Sequence, residues 1–218
     1  MTVAVAAFRI AKFNMDPVVV FDLGKVLVDF DYSIAAKKVA ARSSRPIERL
    51  DTFLSGSPLL TQFESGMLTR HEFFSEVRNV TGFDGSADEF SDYFADIFAP
   101  MPDMIRLHAG LREKRIPTYI FSNTNEIAVG HIRRNFPFFD GFDGYILSYE
   151  IGAMKPHAKI YEALERMTRR RGADIFYIDD RPENVEAGVA RGWQIVLHET
   201  PEKTREAVEK FLTRVNRK

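Results

Sequence analysis

The chain contains no cysteine. That absence excludes a disulfide framework, a thiolate zinc site and a cysteine nucleophile. It also fits a reducing compartment, so the cytoplasm is the expected location. Charge of one sign is missing too: thirty Lys and Arg against thirty-one Asp and Glu leave a formal net charge of -1. No overall field recruits nucleic acid or an acidic membrane, and neither is expected as a partner. No apolar run approaches the roughly 20 residues a membrane helix needs. The mildly apolar residues 1–13 have no basic start and no small-residue cleavage site after them, so they do not read as a signal peptide. Residues 1–15 are expected to be a short extension, with Met15 as the true start. The five histidines show no HExxH or paired spacing, so no zinc site is expected from them.

What is present suits a globular enzyme-sized chain. Its 218 residues are 45% hydrophobic and 28% charged, enough to bury a core without disulfides or metals. Val18-Val19-Val20-Phe21 is an unbroken apolar run, the pattern of a strand buried on both faces. Similar runs are Thr118-Tyr119-Ile120-Phe121, Ile175-Phe176-Tyr177-Ile178 and Gln194-Ile195-Val196-Leu197, with a weaker one at Tyr145-Ile146-Leu147. Helical stretches separate them at 102–114, 125–135, 158–171 and 182–191, and a last helix is expected to open with Thr200 as cap and Pro201 at its first position. This alternation predicts an α/β fold, a doubly wound parallel five-stranded Rossmann-like core with helices on both faces.

Residues 31–98 break the alternation. They lack a buried-strand run but hold several helix starts: Thr69 and Ser86 each precede a Glu by three residues, and Ser33 and Ser57-Pro58 are further candidates. Phe53, Phe63, Phe73, Phe74, Phe83, Phe90, Phe94 and Phe98 crowd this stretch. They are expected to form the core of a small helical bundle, with one or two of them open to a pocket facing the sheet. The expected organisation is an extension at 1–15, a core at 16–30 and 99–218, and an α-helical cap at 31–98 inserted after the first strand. Arg166, Arg169, Arg170 and Arg171 ahead of Gly172 suit a helix C-terminus with glycine as its left-handed stop. Phe136-Pro137-Phe138-Phe139 reads as an apolar link between helix and strand, and Trp193 as packing.

The polar residues of interest all follow strand runs, at the sheet edge where ligands bind in such folds. They are Asp22-Leu23-Gly24, Ser122-Asn123-Thr124-Asn125, Lys155-Pro156, and Asp179-Asp180 with Asn184. Asp179, Asp180 and Asp22 left bare would repel, and a hard divalent cation such as magnesium would resolve that repulsion. Alternatively, Asp179 and Asp180 cap the helix near Pro182. Lys155 and Ser122 are uninformative singly, but beside carboxylates an ammonium and a hydroxyl can hold phosphate oxygens.

In this order the four clusters resemble the motifs of the haloacid dehalogenase-like hydrolase superfamily. Phe21-Asp22-Leu23-Gly24, Val28-Asp29-Phe30-Asp31 and Lys155-Pro156 followed by Lys159-Ile160-Tyr161 resemble the branch of bacterial α-D-glucose-1-phosphate phosphatases and the N-terminal phosphatase domain of soluble epoxide hydrolase. The resemblance implies a magnesium-dependent phosphatase of a small phosphomonoester, with Asp22 as nucleophile forming an aspartyl-phosphate. Asp22, Asp180 and the Gly24 carbonyl would hold magnesium, with Asp179 and Asn184 holding its bound water. Ser122, Lys155 and the Asn123 backbone would grip the phosphoryl group, and the cap would exclude water and choose the leaving group.

One departure bears on mechanism. Most phosphatases of this superfamily have a second Asp two residues after the nucleophile as general acid; here that position is Gly24. Such proton transfer is worth ~10²–10⁴-fold. The glucose-1-phosphate branch carries the same glycine, and a sugar 1-phosphate, whose leaving group needs little protonation, is the expected substrate. Asp29, Asp31 and His71 are candidate substitute donors. The rivals are a 2-haloacid dehalogenase, which needs no metal, and a binding or regulatory protein that has kept the fold and lost turnover.

Overall fold

The computed structural model describes residues 17–45 and 48–215. The expected extension and the expected start at Met15 lie outside the described residues. The central strand, β1 (Val18–Phe21), is buried at all four positions, as its apolar run requires. Alternate residues serve opposite faces. Val19 and Phe21 join a core with Met104, Leu111, Val208 and Phe211, while Val18 and Val20 join one with Ile160, Tyr161, Leu164 and Trp193.

Two short strands follow the pattern poorly: β2 (Val28–Phe30) and β3 (Phe98–Pro100) pair antiparallel as a ribbon. Between them lie α1 (Tyr32–Ala40), α2 (Leu50–Gly56), α3 (Pro58–Glu64), α4 (Arg70–Thr81) and α5 (Ala87–Ala95). The chain then alternates through α6 (Pro102–Glu113), β4 (Thr118–Ser122), α7 (Glu126–Asn135), β5 (Gly144–Leu147), α8 (Ser148–Ile151), α9 (Ala158–Thr168), β6 (Ile175–Asp179), α10 (Pro182–Ala190), β7 (Gln194–Leu197) and α11 (Pro201–Val215). The main sheet is five-stranded in the order β5-β4-β1-β6-β7, every neighbouring pair parallel. Strand order therefore reverses at β1, and the crevice beyond its carboxyl end lies between β4 and β6.

The ribbon escaped the sequence pattern because β2 places a charge, Asp29, between two apolar residues and β3 ends in a proline. The helix starts follow their caps. Thr69 and Ser86 form complete capping boxes, and Ser57 Oγ accepts from Leu60 N at 3.2 Å. At α1 the cap is Asp31, not Ser33: the carboxylate accepts from Ser33 N at 2.8 Å. The helix expected over 158–171 stops at Thr168, with Arg169 in the left-handed region instead of Gly172 as its stop. At that end Thr168 Oγ1 donates to Leu164 O at 2.9 Å and accepts from Arg170 N at 3.2 Å.

The phenylalanines pack the helices between β2 and β3. Phe63 stacks on Phe73 at 4.4 Å between centroids, and Phe73 also meets Phe90 and Phe94 edge-on or tilted. Phe53 and Phe98 are only partly buried, and Ile127 of α7 enters the same cluster, joining these helices to the sheet-flanking layer. Phe73→Ala is expected to cost about 3–5 kcal/mol, because a cavity forms where three rings meet. Urea unfolding measures it, and an unchanged midpoint would deny these rings a central place in stability.

Candidate active site

The carboxyl ends of β1, β4 and β6 deliver the polar residues to one crevice. Asp22 leaves β1 with its N–H on Ile178 O at 2.9 Å, and its Oδ1 accepts from Leu23 N at 2.7 Å. Asp179 closes β6, and its Oδ1 accepts from Arg181 N at 2.9 Å, so the chain turns there. That turn brings Asp179 and Asp180 to the same side as Asp22, with a carboxylate oxygen of each within 4.8 Å of the others. Helix capping does not account for the pair: the N-cap of α10 is Arg181, and it makes no side-chain cap bond.

Lys155 joins the cluster from the loop after α8. Its Nζ lies 3.0 Å from Asp22 Oδ1 and 2.6 Å from Asp179 Oδ2, and it donates to Phe121 O at 2.9 Å. These acceptors match the three protons of an ammonium. The Lys155 side chain is 1% exposed, so the pairing works with little screening. Asn123 sets the height of this lysine: its Oδ1 accepts from Lys155 N at 2.7 Å and its Nδ2 donates to Lys155 O at 3.0 Å. Asp179 is held further by the Tyr177 hydroxyl and by Asn184 Nδ2, which donates to its two oxygens at 3.0 and 3.3 Å.

Three carboxylates against one ammonium leave an excess of negative charge in a buried place. Burial pushes the Asp22 carboxyl up to about 7, Lys155 works against this, and Asp179 and Asp180 add to it. Asp180 is pushed up by burial and by Asp179. Asp179 goes the other way: burial opposes ionisation, but Lys155 and the donors around it hold its carboxyl low. Three carboxylates with an oxygen of each this close make a donor set suited to a hard divalent cation.

A cleft of about 350 Å³ opens over this cluster. Asp22, Gly24, Asn123, Lys155, Asp180 and Asn184 line its floor. Ser122 is brought to the strand end but not to the cleft wall: it is buried, and its Oγ donates to Asn123 O at 3.3 Å. The opposite wall comes from the turn before β2, from β2 itself and from the helices after it, and was not anticipated. It comprises Lys25, Phe30, Tyr32, Ser55, Leu60 and Glu64, with Met154 and Arg181 from the sheet side. None of the eight clustered phenylalanines lines it; Phe30 does. The three substitute donors considered from sequence are elsewhere. Asp29 is exposed and paired with Lys25, Asp31 caps α1, and His71 is exposed on α4. Sequence offered no signal for Ser55 or Leu60, whose positions depend on how α2 and α3 pack.

A family model described as haloacid dehalogenase-like hydrolase matches residues 17–192. The chain belongs to the haloacid dehalogenase-like hydrolase family. Among its relatives in this family, a D-ribitol-5-phosphate phosphatase from Bacteroides thetaiotaomicron is 25% identical over 81% of this chain and 88% of its own length. A sesquiterpene phosphatase from Aspergillus oryzae is 26% identical over 83% of this chain and 88% of its own. A solved family enzyme from Bacteroides thetaiotaomicron, in complex with magnesium and inorganic phosphate, superposes with a TM-score of 0.73 at 26% identity, covering 84% of this chain and 93% of that one.

The buried pairing makes a stability prediction. Lys155→Met leaves Asp22 and Asp179 facing each other without their cation, and is expected to cost about 3–5 kcal/mol near neutral pH in the presence of chelator. A carboxyl whose folded pKa lies above its unfolded value binds protons preferentially in the folded state, so the loss should shrink as pH falls. Urea unfolding across pH measures both; a loss that stays constant with pH would contradict the electrostatic origin.

Proposed function

We propose that this hydrolase is a magnesium-dependent phosphatase of a small phosphomonoester, a sugar phosphate such as a sugar 1-phosphate, acting through an aspartyl-phosphate on Asp22. The observation that carries this reading is the buried Asp22 carboxylate, held 3.0 Å from the Lys155 ammonium and grouped with Asp179 and Asp180 on the floor of an open cleft. The phosphate-ester names of the two relatives and the magnesium and phosphate of the solved neighbour support it.

Asp22, Asp180 and the Gly24 carbonyl would hold the magnesium, with Asp179 and Asn184 behind it through bound water. When bound, the ion draws charge from the transferring phosphoryl oxygens and balances the carboxylates. Asp22 attacks phosphorus, the bond to the leaving oxygen breaks, and water later cleaves the aspartyl-phosphate. Lys155, steadied by Asn123, would reach a phosphoryl oxygen by giving up its contact with Asp22 as that carboxylate engages phosphorus, while Ser122, off the cleft wall, holds the end of β4 behind the grip. The helical insertion at 31–98 acts as a cap whose wall admits the leaving group and excludes water. The cysteine-free chain suits a cytoplasmic setting, and no described helix is long and apolar enough to cross a membrane.

The dehalogenase reading fits less well. A carbon-centred displacement with no cation would leave Asp179 and Asp180 opposing an anionic substrate. With magnesium, phosphate release from sugar phosphates is expected, and chelator or Asp22→Asn should reduce it to background. Sugar 1-phosphates should be turned over faster than sugar 6-phosphates. Halide release from a 2-haloacid unaffected by chelator would favour the dehalogenase. A folded protein without turnover of either substrate would indicate a binding module.

A further inference from the structure

Position 24 leaves the reaction without a proton donor beside the nucleophile, and the structure explains why a side chain is not simply restored there. A Cβ on Gly24 would lie 2.9 Å from the Phe30 ring, so that ring fills the space an acid at this position would need. A carboxyl instead enters the cleft from the opposite wall. Glu64, the last residue of α3, lines the same cleft as Asp22, Gly24 and Lys155.

We propose that Glu64 is the catalytic acid of the reaction, donating its proton to the oxygen that leaves phosphorus. This rests on the phosphatase reading above. As Asp22 bonds to phosphorus, the bond from phosphorus to the ester oxygen breaks and its electron pair stays on that oxygen. The Glu64 carboxyl proton goes to the same oxygen, releasing a neutral alcohol. The Glu64 carboxylate then takes a proton from the water that attacks the aspartyl-phosphate, which restores Asp22 and frees phosphate.

Several contacts hold Glu64 in place. Its carbonyl accepts from Ser148 Oγ at 2.6 Å, and the same hydroxyl accepts from Thr124 N at 2.9 Å, tying the end of α3 to the start of α8 and to the loop after β4. Two residues on, Gly66 has φ of +70° and approaches Tyr149 so closely that a Cβ would sit 2.2 Å from its carbonyl oxygen. The carboxyl itself is hydrogen-bonded by the Asn125 side chain.

Its surroundings suit a donor near neutral pH. Burial pushes the Glu64 carboxyl up to about 7, and Arg181 and Asn125 only partly oppose this. The groups facing it are Arg181 from the β6–α10 turn, Asn125 from the start of α7 and Tyr32 from α1, whose phenol is pushed up by burial and by Glu64. Lys25, Asp22, Asp180 and Lys155 share the cleft. An acid with a pKa near the working pH is the efficient one.

The test compares kcat/KM, which reports steps through leaving-group departure, for a sugar 6-phosphate and for p-nitrophenyl phosphate, both with magnesium. An alkoxide needs a proton to leave and nitrophenolate does not. Glu64→Gln should lower the sugar 6-phosphate value by ~10²-fold or more while changing the nitrophenyl value by less than about tenfold. The wild-type sugar 6-phosphate profile should fall above about pH 7, and that limb should vanish in Glu64→Gln. Glu64→Asp, which keeps an acid on a shorter arm, should recover part of the loss. Equal losses on both substrates, or no loss on either, would overturn the proposal and leave Glu64 as a tether between α3 and the sheet edge. Wild-type protein that releases phosphate from neither substrate would overturn the phosphatase reading, and this inference with it.

Discussion

The arrangement at the sheet edge depends on one buried ammonium. Lys155 touches Asp22, Asp179 and the Phe121 carbonyl, and these come from the ends of β1, β6 and β4. Strands that meet through backbone ladders would otherwise bring two carboxylates together in a place with little water to screen them. Lysine offers three protons on one atom, so a single group can satisfy all three strand ends. An arginine fork would spread the charge over a plane and could not centre it the same way. The Asn123 amide fixes the height of the lysine backbone, so the ammonium is positioned from both ends of its side chain.

The topology explains why those groups meet at all. Reversal of strand order at β1 opens a crevice flanked by β4 and β6, and the polar residue after each strand faces that crevice. The apolar runs of β1, β4 and β6 are packed between two helical layers, so the strand ends have little freedom to drift. The rigid core therefore places the charges, while the helices between β2 and β3 place the other wall of the cleft. That second wall hangs from a two-stranded ribbon and is tied back through Ser148 and Gly66.

Much of this was legible in the sequence where a local rule has a strong local cause. The central strands β1 and β6 show as apolar runs because they are buried at every position, while the edge strand β7 is half-buried and tolerates Gln194. The capping boxes at Thr69 and Ser86 show because the bonds are made within four residues. The strand-end clusters could be read because their residues sit immediately after those runs. The ribbon could not, since three-residue strands with one charge or one proline have too little pattern to detect. The end of α9 at Thr168 comes with a left-handed conformation at Arg169, a residue type that gives no sign of it in sequence. The far wall of the cleft was the least legible part. Glu64 looks like any helix-terminal glutamate until α3 is packed against the sheet edge.

Gly24 and Phe30 show how a gap in one element can be matched by another. Glycine at 24 lets the Phe30 ring lie against the turn after β1, and that ring forms part of the cleft wall. A carboxyl beside the nucleophile would be held by the core, with its distance to the reacting centre unaffected by the insertion. A carboxyl at Glu64 depends instead on how the insertion sits. Any movement of α3 away from Ser148 would remove acid, apolar wall and substrate contacts together. Proton donation and the leaving-group wall therefore rest on the seating of the same helices, which Ser148 and Gly66 hold against the sheet edge.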